Sequence, residues 1–565
     1  MKYLLTTLNS KYVHTSLAVR CLYSAVADDF DVVMNEYTIN DNISSVLASI
    51  YRTKADVVCF SCYIWNFDLV MSLCDNLKKA ASHTIIVLGG PEVTYTADDV
   101  LTENSCVDIV VSGEGEHTVY ELFHSLENGR QLDGVSGISF RNPHGVVVKN
   151  PSREPVAKLD DLPFVYDDKI DDLNGRIIYY ETSRGCPFSC TYCLSGERGG
   201  VRYLSMERIK HDIDFFTEHK VPLVKLVDRT FNANPKRAKM IFEYIISKSA
   251  KTRFHMELAG DLLDDETINL LSKADENTFQ FEIGVQTTND KTLCAINRKI
   301  NRDKLWENLK KLLDKTNIHI HLDLIAGLPY EDINSFSKSF NDVLALKPHV
   351  LQLGFLKFLK GSEILQNADD FNYKYSSDAP YEIICNDFVS FDDILTLHGI
   401  DFVLDRYYNS GAFEKTLNFI FDKYDNDYYK FFLDLSKYYE NSDLMKISLS
   451  KYELYDIMYN YCKSCGYDAT DCLKYDFMKN IKSHNLPPWC ADKFDKEFID
   501  CCHRVLKDEE FKKKYLPHYY DIPAKTVIKS VKFGRFSYGV LLFDTMSGAV
   551  LDVTKYFTEE EIFYG

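Results

Sequence analysis

Strand-like and helix-like segments alternate regularly over the first 360 residues, and this rhythm constrains the fold more than any other feature. In residues 1–125, apolar strands are predicted at Tyr3–Thr7, Asp31–Tyr37, Val57–Cys62, Thr84–Leu88 and Ile109–Ser112. Intervening segments such as Leu17–Ala27 and Phe67–Ala80 have apolar residues at helical spacing. This βαβ order predicts a parallel, doubly wound sheet, with ligands bound at the carboxyl ends of its strands.

The same rhythm continues through residues 176–360 with about six further repeats. Strands are predicted near 177–182, 223–228, 253–258, 279–285, 318–325 and 350–357. Six parallel strands with intervening helices form a partial (β/α)6 barrel, whose chemistry is expected at the carboxyl ends of the strands. Residues 126–175 are interpreted as a connector with a hairpin (Gly134–Phe140 and Gly145–Lys149), and residues 361–565 as a mainly helical C-terminal domain.

Three cysteines occupy one loop directly after the first strand of the predicted barrel. Cys186, Cys190 and Cys193 have C-x3-C-x2-C spacing, and the next cysteine along the chain is Cys294. Structural zinc sites and electron-transfer 4Fe–4S clusters use four protein ligands. Three thiolates therefore favour a catalytic 4Fe–4S cluster with one iron open to a substrate or cofactor; a zinc knuckle or unrelated free thiols are the alternatives.

This loop, with Tyr192 before its third cysteine, resembles the signature of the radical S-adenosylmethionine (SAM) superfamily. The resemblance implies that the open iron chelates the amino and carboxylate groups of SAM. One electron then cleaves SAM to methionine and a 5′-deoxyadenosyl radical. Later strand ends match the family's cofactor-binding stretches in order and spacing. They imply SAM contacts for Asp228, Glu257 and Gln286, in addition to Tyr192.

Two glycine-rich turns follow strands of the N-terminal sheet and contain Gly89, Gly90, Gly113 and Gly115. Glycines there let the backbone approach a ligand, although tight βα turns alone would also require them. The turns resemble those of the cobalamin-binding-type domain that precedes many radical SAM domains. The family's cobalt-ligating motif, Asp-x-His-x-x-Gly, is absent from residues 1–125. Two possibilities therefore stay open: the domain binds cobalamin, or it kept the fold and lost the ligand.

Polar residues alternate on two of the predicted barrel strands. His255 and Glu257 share one face of the third strand, and His319, His321 and Asp323 share one face of the fifth. A strand this polar on one face favours a lined pocket, and Glu257, His321 and Asp323 are the candidate catalytic residues. Hydrogen-bonded supporting histidines are the simpler alternative.

The net charge and the hydropathy of the chain limit which partners it is expected to bind. The net charge of −19 argues against a broad nucleic-acid surface, and a small polar metabolite is expected instead. No apolar run reaches the ~20 residues of a membrane span, and the N-terminal apolar stretch is too short for a signal peptide. We therefore expect a cytoplasmic enzyme without membrane contact that receives electrons from a reductant such as flavodoxin or ferredoxin.

Segments along most of the chain, including Phe60–Asn66 and Lys225–Asn232, resemble one clostridial radical SAM family that includes queuine lyase. The resemblance implies a lyase that releases queuine from queuosine 5′-phosphate, through hydrogen abstraction from a nucleotide-like substrate. A cobalamin-dependent methyltransferase acting on an unactivated carbon is the second hypothesis. A non-catalytic metal-binding or redox-sensing protein is the third. Cys462, Cys465, Cys472 and Cys490 match no known cluster spacing, so free thiols are expected there and a second cluster is the alternative.

Overall fold

The structure is a computed structural model that describes residues 1–129, 131–166, 173–196, 200–483, 486–492 and 494–559. It forms two compact units, Met1–Ile394 and Leu395–Gly565. No helix in these residues combines the length and apolar character needed to span a membrane.

The first unit begins with a seven-stranded sheet in the order β2-β1-β3-β4-β5-β6-β7. Its strands are β1 (Lys2–Asn9), β2 (Asp31–Thr38), β3 (Val57–Ser61), β4 (Ile85–Gly89), β5 (Ile109–Val111), β6 (Ile138–Arg141) and β7 (Val147–Lys149). Its helices are α1 (Leu17–Val26), α2 (Ile43–Arg52), α3 (Phe67–Ala80), α4 (Pro91–Thr94), α5 (Ala97–Glu103) and α6 (Glu116–Glu127). The five strands β1–β5 are parallel. All five residues of β3 are buried, as expected of a central strand with both faces covered.

The hairpin that we predicted in the connector belongs to this sheet. Strands β6 and β7 pair antiparallel with each other, and β6 pairs antiparallel with β5. Residues 138–149 thus extend the first sheet at its edge. The sequence signal of alternating apolar residues identified the hairpin but could not show where it would pair.

The second sheet is the partial barrel, with six parallel strands in the order β8-β11-β12-β13-β14-β15. They are β8 (Ile178–Tyr180), β11 (Leu223–Leu226), β12 (Arg253–Leu258), β13 (Phe279–Gln286), β14 (His319–Ala326) and β15 (Val350–Phe355), and β9 (Ser183–Arg184) and β10 (Arg202–Tyr203) form a short separate pair. The helices are α7 (Met206–Glu218), α8 (Pro235–Lys248), α9 (Asp265–Leu271), α10 (Asp290–Ala295), α11 (Arg302–Lys315) and α12 (Ile333–Leu344). Strand β13 alternates strictly between buried and half-buried residues, so one face packs on the helices and the other lines the interior.

A short extension completes the first unit with α13 (Glu363–Gln366), β16 (Lys374–Tyr375) and β17 (Ile383–Cys385). The second unit is mainly helical, as predicted. Its helices are α14 (Phe391–Tyr407, which crosses the unit boundary), α15 (Glu414–Lys423), α16 (Tyr428–Asn441), α17 (Lys451–Ser464), α18 (Thr470–Asn480), α19 (Lys496–Lys507), α20 (Glu509–Tyr515) and α21 (Ala524–Val527). A three-stranded antiparallel sheet follows: β18 (Val531–Phe536), β19 (Gly539–Asp544) and β20 (Val550–Asp552). Buried aromatic side chains fill the helical part, and the Tyr407 and Tyr439 hydroxyls lie 2.6 Å apart.

The predicted fold class is therefore confirmed: a doubly wound parallel sheet, a partial (β/α)6 barrel and a mainly helical C-terminal region. The run Thr526–Lys532 also has strand-like sequence, and a strand predicted over it is wrong in its first part. The short helix α21 ends at Val527 within that run, and the strand begins only at Val531. Pro523 immediately precedes this helix and favours its first turn, which the run of β-prone residues obscured.

Candidate functional site

A cavity with about 420 Å³ of atom-free space opens at the carboxyl ends of the barrel strands. The residues that line it come from the cysteine loop, from strands β12–β14 and from the segments that follow β11, β12 and α10: Phe188, Arg229, Thr230, Glu257, Leu258, Ala259, Glu282, Gly284, Gln286, Arg298 and Asp323. Ligands of such barrels bind at this end, because the strand-end loops surround it. The predicted residues Glu257, Gln286 and Asp323 lie together in this cavity.

The cysteine loop is anchored to the barrel at its centre. The Thr191 amide donates to the Ile296 carbonyl at 3.1 Å, and the Thr191 carbonyl accepts from the Ile364 amide at 2.9 Å. The Cys193 amide donates to the Cys190 carbonyl at 3.0 Å, which closes a turn between the second and third cysteines. The backbone of the loop is thus held from both sides.

Each cysteine of the loop has a polar neighbour at its sulfur. The Ser195 amide donates to Cys193 Sγ at 3.4 Å, and Arg298 Nη1 donates to Cys190 Sγ at 3.9 Å. Cys186 Sγ lies 3.4 Å from the Thr230 hydroxyl. Hydrogen bonds to sulfur stabilise thiolate ligands and tune cluster potentials, so this donor set suits an iron–sulfur cluster.

The three thiols nevertheless do not converge on one point. In the described residues, no group of three or more His, Cys, Asp or Glu side chains is arranged to hold a metal ion. The assignment of Cys186, Cys190 and Cys193 as cluster ligands stays a prediction from their spacing and chemistry. In the described residues, no such metal-holding group includes Cys462, Cys465, Cys472 or Cys490 either.

Asp228 braces the start of the cysteine loop and does not line the cavity. Its carboxylate is fully buried and accepts from the Thr182 amide at 2.9 Å and from the Thr182 and Ser183 hydroxyls, both at 2.5 Å. Arg237 donates to the Thr182 carbonyl at 2.7 Å from the same side. Burial raises the pKa of Asp228 although these hydrogen bonds oppose the rise. The geometry gives Asp228 a positioning role, whereas the sequence resemblance implied direct contact with SAM.

Two carboxylates of the cavity have no partner among the described residues. Glu257 on β12 and Asp323 on β14 form no hydrogen bond or ion pair there, and the Oδ1 atom of Asp323 is buried. Burial, followed by the charges of Glu282 and Glu257, raises the pKa of Asp323 to about 7. Burial and the Glu282 charge also raise the pKa of Glu257. The cavity therefore presents two acceptors that no protein group satisfies.

Glu282 lies between these two residues on β13 and is paired. Its Oε2 lies 3.1 Å from His255 Nε2 and 3.5 Å from Lys225 Nζ. The hydrogen bond from His255, against the opposing effect of burial and with help from the Lys225 charge, lowers the pKa of Glu282 to about 2. Lys225 is a site residue that sequence reasoning missed. Lys225 pairs in register with His255 on β12, and strand alternation, which assigns faces but not register, could not have shown this pairing.

His321 lies two residues before Asp323 on β14 and outside the cavity lining. Its Nε2 lies 3.0 Å from His319 Nδ1 and 3.0 Å from Gln280 Nε2. Burial, together with the His319 and His255 charges, lowers the pKa of His321 to about 4, so the ring is neutral at physiological pH. His321 thus has hydrogen-bond partners of its own, and the structure does not bring it into the cavity that Glu257 and Asp323 line.

Gln286 and Tyr192 both lie near Arg298. Gln286 has a left-handed backbone with φ of 70°, at a register shift between β13 and β14, and its Oε1 atom is buried without a partner. Gly284 leaves the space that the Gln286 amide occupies, because a Cβ there would overlap it. Arg298 Nη2 donates to the Gly284 carbonyl at 2.6 Å. Tyr192 packs with the buried cluster around Ile296 and Leu328, and burial raises the pKa of its phenol.

The N-terminal sheet has its crevice between β1 and β3, where the strand order reverses. Asn66, which is 1% exposed, spans this point. Its Nδ2 donates to the Leu8 and Ser61 carbonyls at 3.0 and 3.1 Å. Trp65 Nε1 also donates to the Leu8 carbonyl, and the ring stacks on Tyr63 at 4.5 Å. Side chains of this segment therefore bridge the strand ends at the switch point.

Backbone conformation and close packing explain most of the glycines in the turns of this sheet. Gly90 has φ of 109°, and a Cβ there would overlap the Cys62 carbonyl. Gly113 has φ of 84° and faces open space, while a Cβ on Gly115 would press on Leu22. Gly89 ends β4. A strained turn therefore explains Gly90 and close packing on Leu22 explains Gly115, whereas Gly113, after β5, faces open space.

Arg184 joins the N-terminal sheet to the cysteine loop. Its guanidinium contacts Glu116 at the start of α6 at 2.5 Å, Glu181 at 2.8 Å and Glu114 at 3.5 Å, and its side chain is 14% exposed. Burial would lower the pKa of Arg184, but the Glu181 and Glu116 charges outweigh it and raise the pKa. The loop after β5 is thus held against the residue two positions before Cys186. The glycines around Glu114 drew attention to this loop, but its partner could not be read from the sequence.

Comparison with known families identifies three domains along the chain. Residues 3–123 match the B12 binding domain, residues 180–343 match the radical SAM superfamily, and residues 369–552 match a protein family of unknown function, DUF4080. The chain therefore combines a B12-binding domain with a radical SAM domain. This confirms the cofactor prediction: a radical SAM domain implies a 4Fe–4S cluster and SAM, and the B12-binding domain supports cobalamin.

Two curated relatives and one solved structure show what the chain is similar to. It is 26% identical to 2-(S-pantetheinyl)-carbapenam-3-carboxylate methyltransferase of Streptantibioticus cattleyicolor over 55% of this chain and 47% of that protein. It is 27% identical to the cobalamin-dependent radical SAM methyltransferase TokK of Streptomyces tokunonensis over 54% of this chain and 47% of that protein. The chain thus spans about half the length of these relatives. The cobalamin-dependent S-adenosylmethionine radical enzyme OxsB shares the fold, with a TM-score of 0.60 at 15% identity over 85% of this chain and 81% of that one.

Proposed function

We propose that this protein is a cobalamin-dependent radical SAM methyltransferase that acts on an unactivated carbon of a small, nucleotide-like molecule. The observation that carries the proposal is the Arg184 junction, which ties the loop after β5 of the B12-binding domain to the start of the cysteine loop. The two domains therefore meet at the predicted radical centre. The similarity to two methyltransferases over both domains supports the same reaction class.

Some residues of the chain would hold the cluster, and others enclose the cavity. Cys186, Cys190 and Cys193 are the proposed cluster ligands, and Asp228 holds the strand end that precedes them. Gln286, Arg298 and Arg229 border the cavity where SAM and substrate would meet. When bound, the cluster supplies the electron that cleaves SAM, and cobalamin supplies the methyl group. The chain itself positions the target carbon and excludes water. We further propose that a reductant such as flavodoxin or ferredoxin delivers the electron.

The test is anaerobic reconstitution with iron, sulfide and hydroxocobalamin, followed by incubation with reductant and SAM that carries a labelled methyl group. The proposal predicts about one corrinoid per chain and labelled methylcobalamin. Cleavage of SAM to 5′-deoxyadenosine without any bound corrinoid would contradict the methyltransferase. Absence of both SAM cleavage and corrinoid would favour the non-catalytic alternative.

A radical lyase is the second candidate, and one observation favours it. Asn66 and Trp65 bridge the crevice of the B12-binding domain at its switch point, in a chain without the cobalt-ligating motif. A domain closed in this way suits an enzyme that kept the fold without the corrinoid. Queuine release from queuosine 5′-phosphate stays the specific prediction of the sequence resemblance. Incubation of the corrinoid-free protein with this nucleotide, SAM and reductant should then liberate queuine.

A further inference from the structure

The deep part of the barrel cavity holds three acceptor groups that no described protein group satisfies. They are the carboxylates of Glu257 and Asp323 and the Oε1 atom of Gln286, and the acceptor atoms Asp323 Oδ1 and Gln286 Oε1 are buried. Buried acceptors without donors cost about 1–3 kcal/mol each. A ligand that brings its own hydrogen-bond donors would remove this cost, so the cavity is built for a donor-rich group.

The charged groups around these acceptors further limit the class of ligand that the cavity would bind. Glu282, the carboxylate between them, already has His255 and Lys225 as partners. Arg298 donates to the Gly284 carbonyl and to Cys190 Sγ. In the part of the chain that the structure describes, neither Glu257 nor Asp323 has a cation within ion-pair distance. Lys225 and Arg229 act on Glu257, and Lys225 and Arg298 act on Asp323, from beyond ion-pair distance. Hydroxyl groups would satisfy the hydrogen bonds of the two carboxylates, and a cation in contact would in addition offset the charge that remains.

We propose that Glu257 and Asp323 form a substrate subsite for a protonated amine. The inference rests on the proposed radical SAM function, because it places the substrate of that reaction in this cavity. The sulfonium of SAM is another cation that this cavity would suit, and the experiment below separates it from a substrate amine. Arg229, which is exposed at the cavity rim, would then accept an anionic part of the same molecule.

The fold explains why these two residues act together. Glu257 pairs in register with Glu282 on the neighbouring strand, and Asp323 pairs with Gly284 two residues further along β13. Both side chains therefore point to the interior from the strands that flank β13. The side-chain amide of Gln286 fills the space beside Gly284 and lines the same cavity as the two carboxylates.

The probes are n-butylammonium and its neutral counterpart n-butanol, added to the reconstituted protein with cluster and SAM. Binding is measured by saturation-transfer NMR in the wild type, in the Glu257→Gln/Asp323→Asn double variant and in the matched control Glu276→Gln/Asp303→Asn. The control makes the same chemical change at two exposed carboxylates. We expect the amine to bind the wild type and the control, and the double variant to raise its Kd about tenfold or more. n-Butanol should bind at least tenfold more weakly than the amine.

The outcomes separate this proposal from the proposed function. If the double variant binds the amine as the wild type does, if alcohol and amine bind alike, or if the wild type binds neither, the amine subsite is contradicted. Formation of 5′-deoxyadenosine from SAM is measured in the same samples. If the double variant loses SAM cleavage while its circular dichroism is unchanged, the carboxylates serve SAM and the subsite is contradicted. If even the wild type fails to cleave SAM, the proposed function falls, whereas the amine result still decides the subsite.

Discussion

At the scale of single residues, three carboxylates in and beside the barrel cavity have opposite environments. Asp228 is buried and receives three hydrogen bonds, Glu282 is paired with His255 and Lys225, and Asp323 has neither kind of partner among the described residues. The sequence placed Asp228 at a strand end and Asp323 on a polar strand face but could not rank the three carboxylates. Their hydrogen-bond partners depend on side chains from neighbouring strands and loops, which periodicity does not specify.

Asp323→Asn tests the unpartnered carboxylate through the pH dependence of stability. The folded pKa of Asp323, about 7, lies above the ordinary value near 4. Its favourable contribution is therefore fully present below about pH 4 and is lost as the pH rises through 7. The melting temperature of the wild type minus that of Asp323→Asn should fall between pH 5 and pH 8. This change corresponds to about 2–3 kcal/mol. A difference that stays constant with pH would contradict the assignment.

Asp228→Ala tests the positioning role. The substitution leaves the Thr182 amide and the Thr182 and Ser183 hydroxyls without their acceptor in a fully buried position. We expect a loss of about 3 kcal/mol in stability and a lower iron content after reconstitution. Asp303→Ala, at an exposed position in the first turn of α11, should cost a few tenths of a kcal/mol at about the level of a helix-dipole contact. Equal melting temperatures for the two variants would show that Asp228 is not a brace.

At the scale of elements, the alternation of strands and helices predicted nearly every strand of both parallel sheets. The predicted strand at 253–258 and the observed strand Arg253–Leu258 have the same ends, because buried β-prone residues there are flanked by polar segments. The place of the hairpin β6–β7 at the sheet edge was not predictable, since antiparallel partners are chosen by edge availability and not by local sequence. The contacts of the loop after β5 with Arg184 were likewise outside what periodicity can supply.

Arg184→Met tests that junction between elements. Removing the guanidinium leaves the carboxylates of Glu181 and Glu116 without their shared cation in a largely buried setting. Breaking buried ion pairs of this kind lowers the free energy of unfolding by about 3 kcal/mol. We therefore expect a lower melting temperature and faster hydrogen exchange at the start of α6.

Arg302→Met is the matched control, because Arg302 forms an exposed pair with Asp290. Its effect should stay within about 1 kcal/mol. Unchanged exchange of the Glu116–Val119 amides in Arg184→Met would contradict a junction between the B12-binding domain and the cysteine loop.

At the scale of the whole molecule, the chain combines a B12-binding domain, a radical SAM domain and a third domain whose family has no assigned function. The cysteine spacing predicted a cluster with one open iron, and the resemblance of the loop to the radical SAM signature implied the radical chemistry. The reaction type depends on whether the corrinoid binds and on what occupies the amine subsite. Neither is encoded in a short motif, so the sequence left methyl transfer and base release as alternatives.

We propose that Cys186, Cys190 and Cys193 hold a cluster that cleaves SAM. The most direct measurement is 5′-deoxyadenosine formation by the anaerobically reconstituted protein with SAM and dithionite. Cys186→Ala, Cys190→Ala and Cys193→Ala are compared with Cys294→Ala, which removes an exposed thiol outside the loop. We predict that each loop variant loses the cluster absorbance and all measurable 5′-deoxyadenosine, while Cys294→Ala matches the wild type. SAM cleavage that persists in any one of the three loop variants would contradict the account.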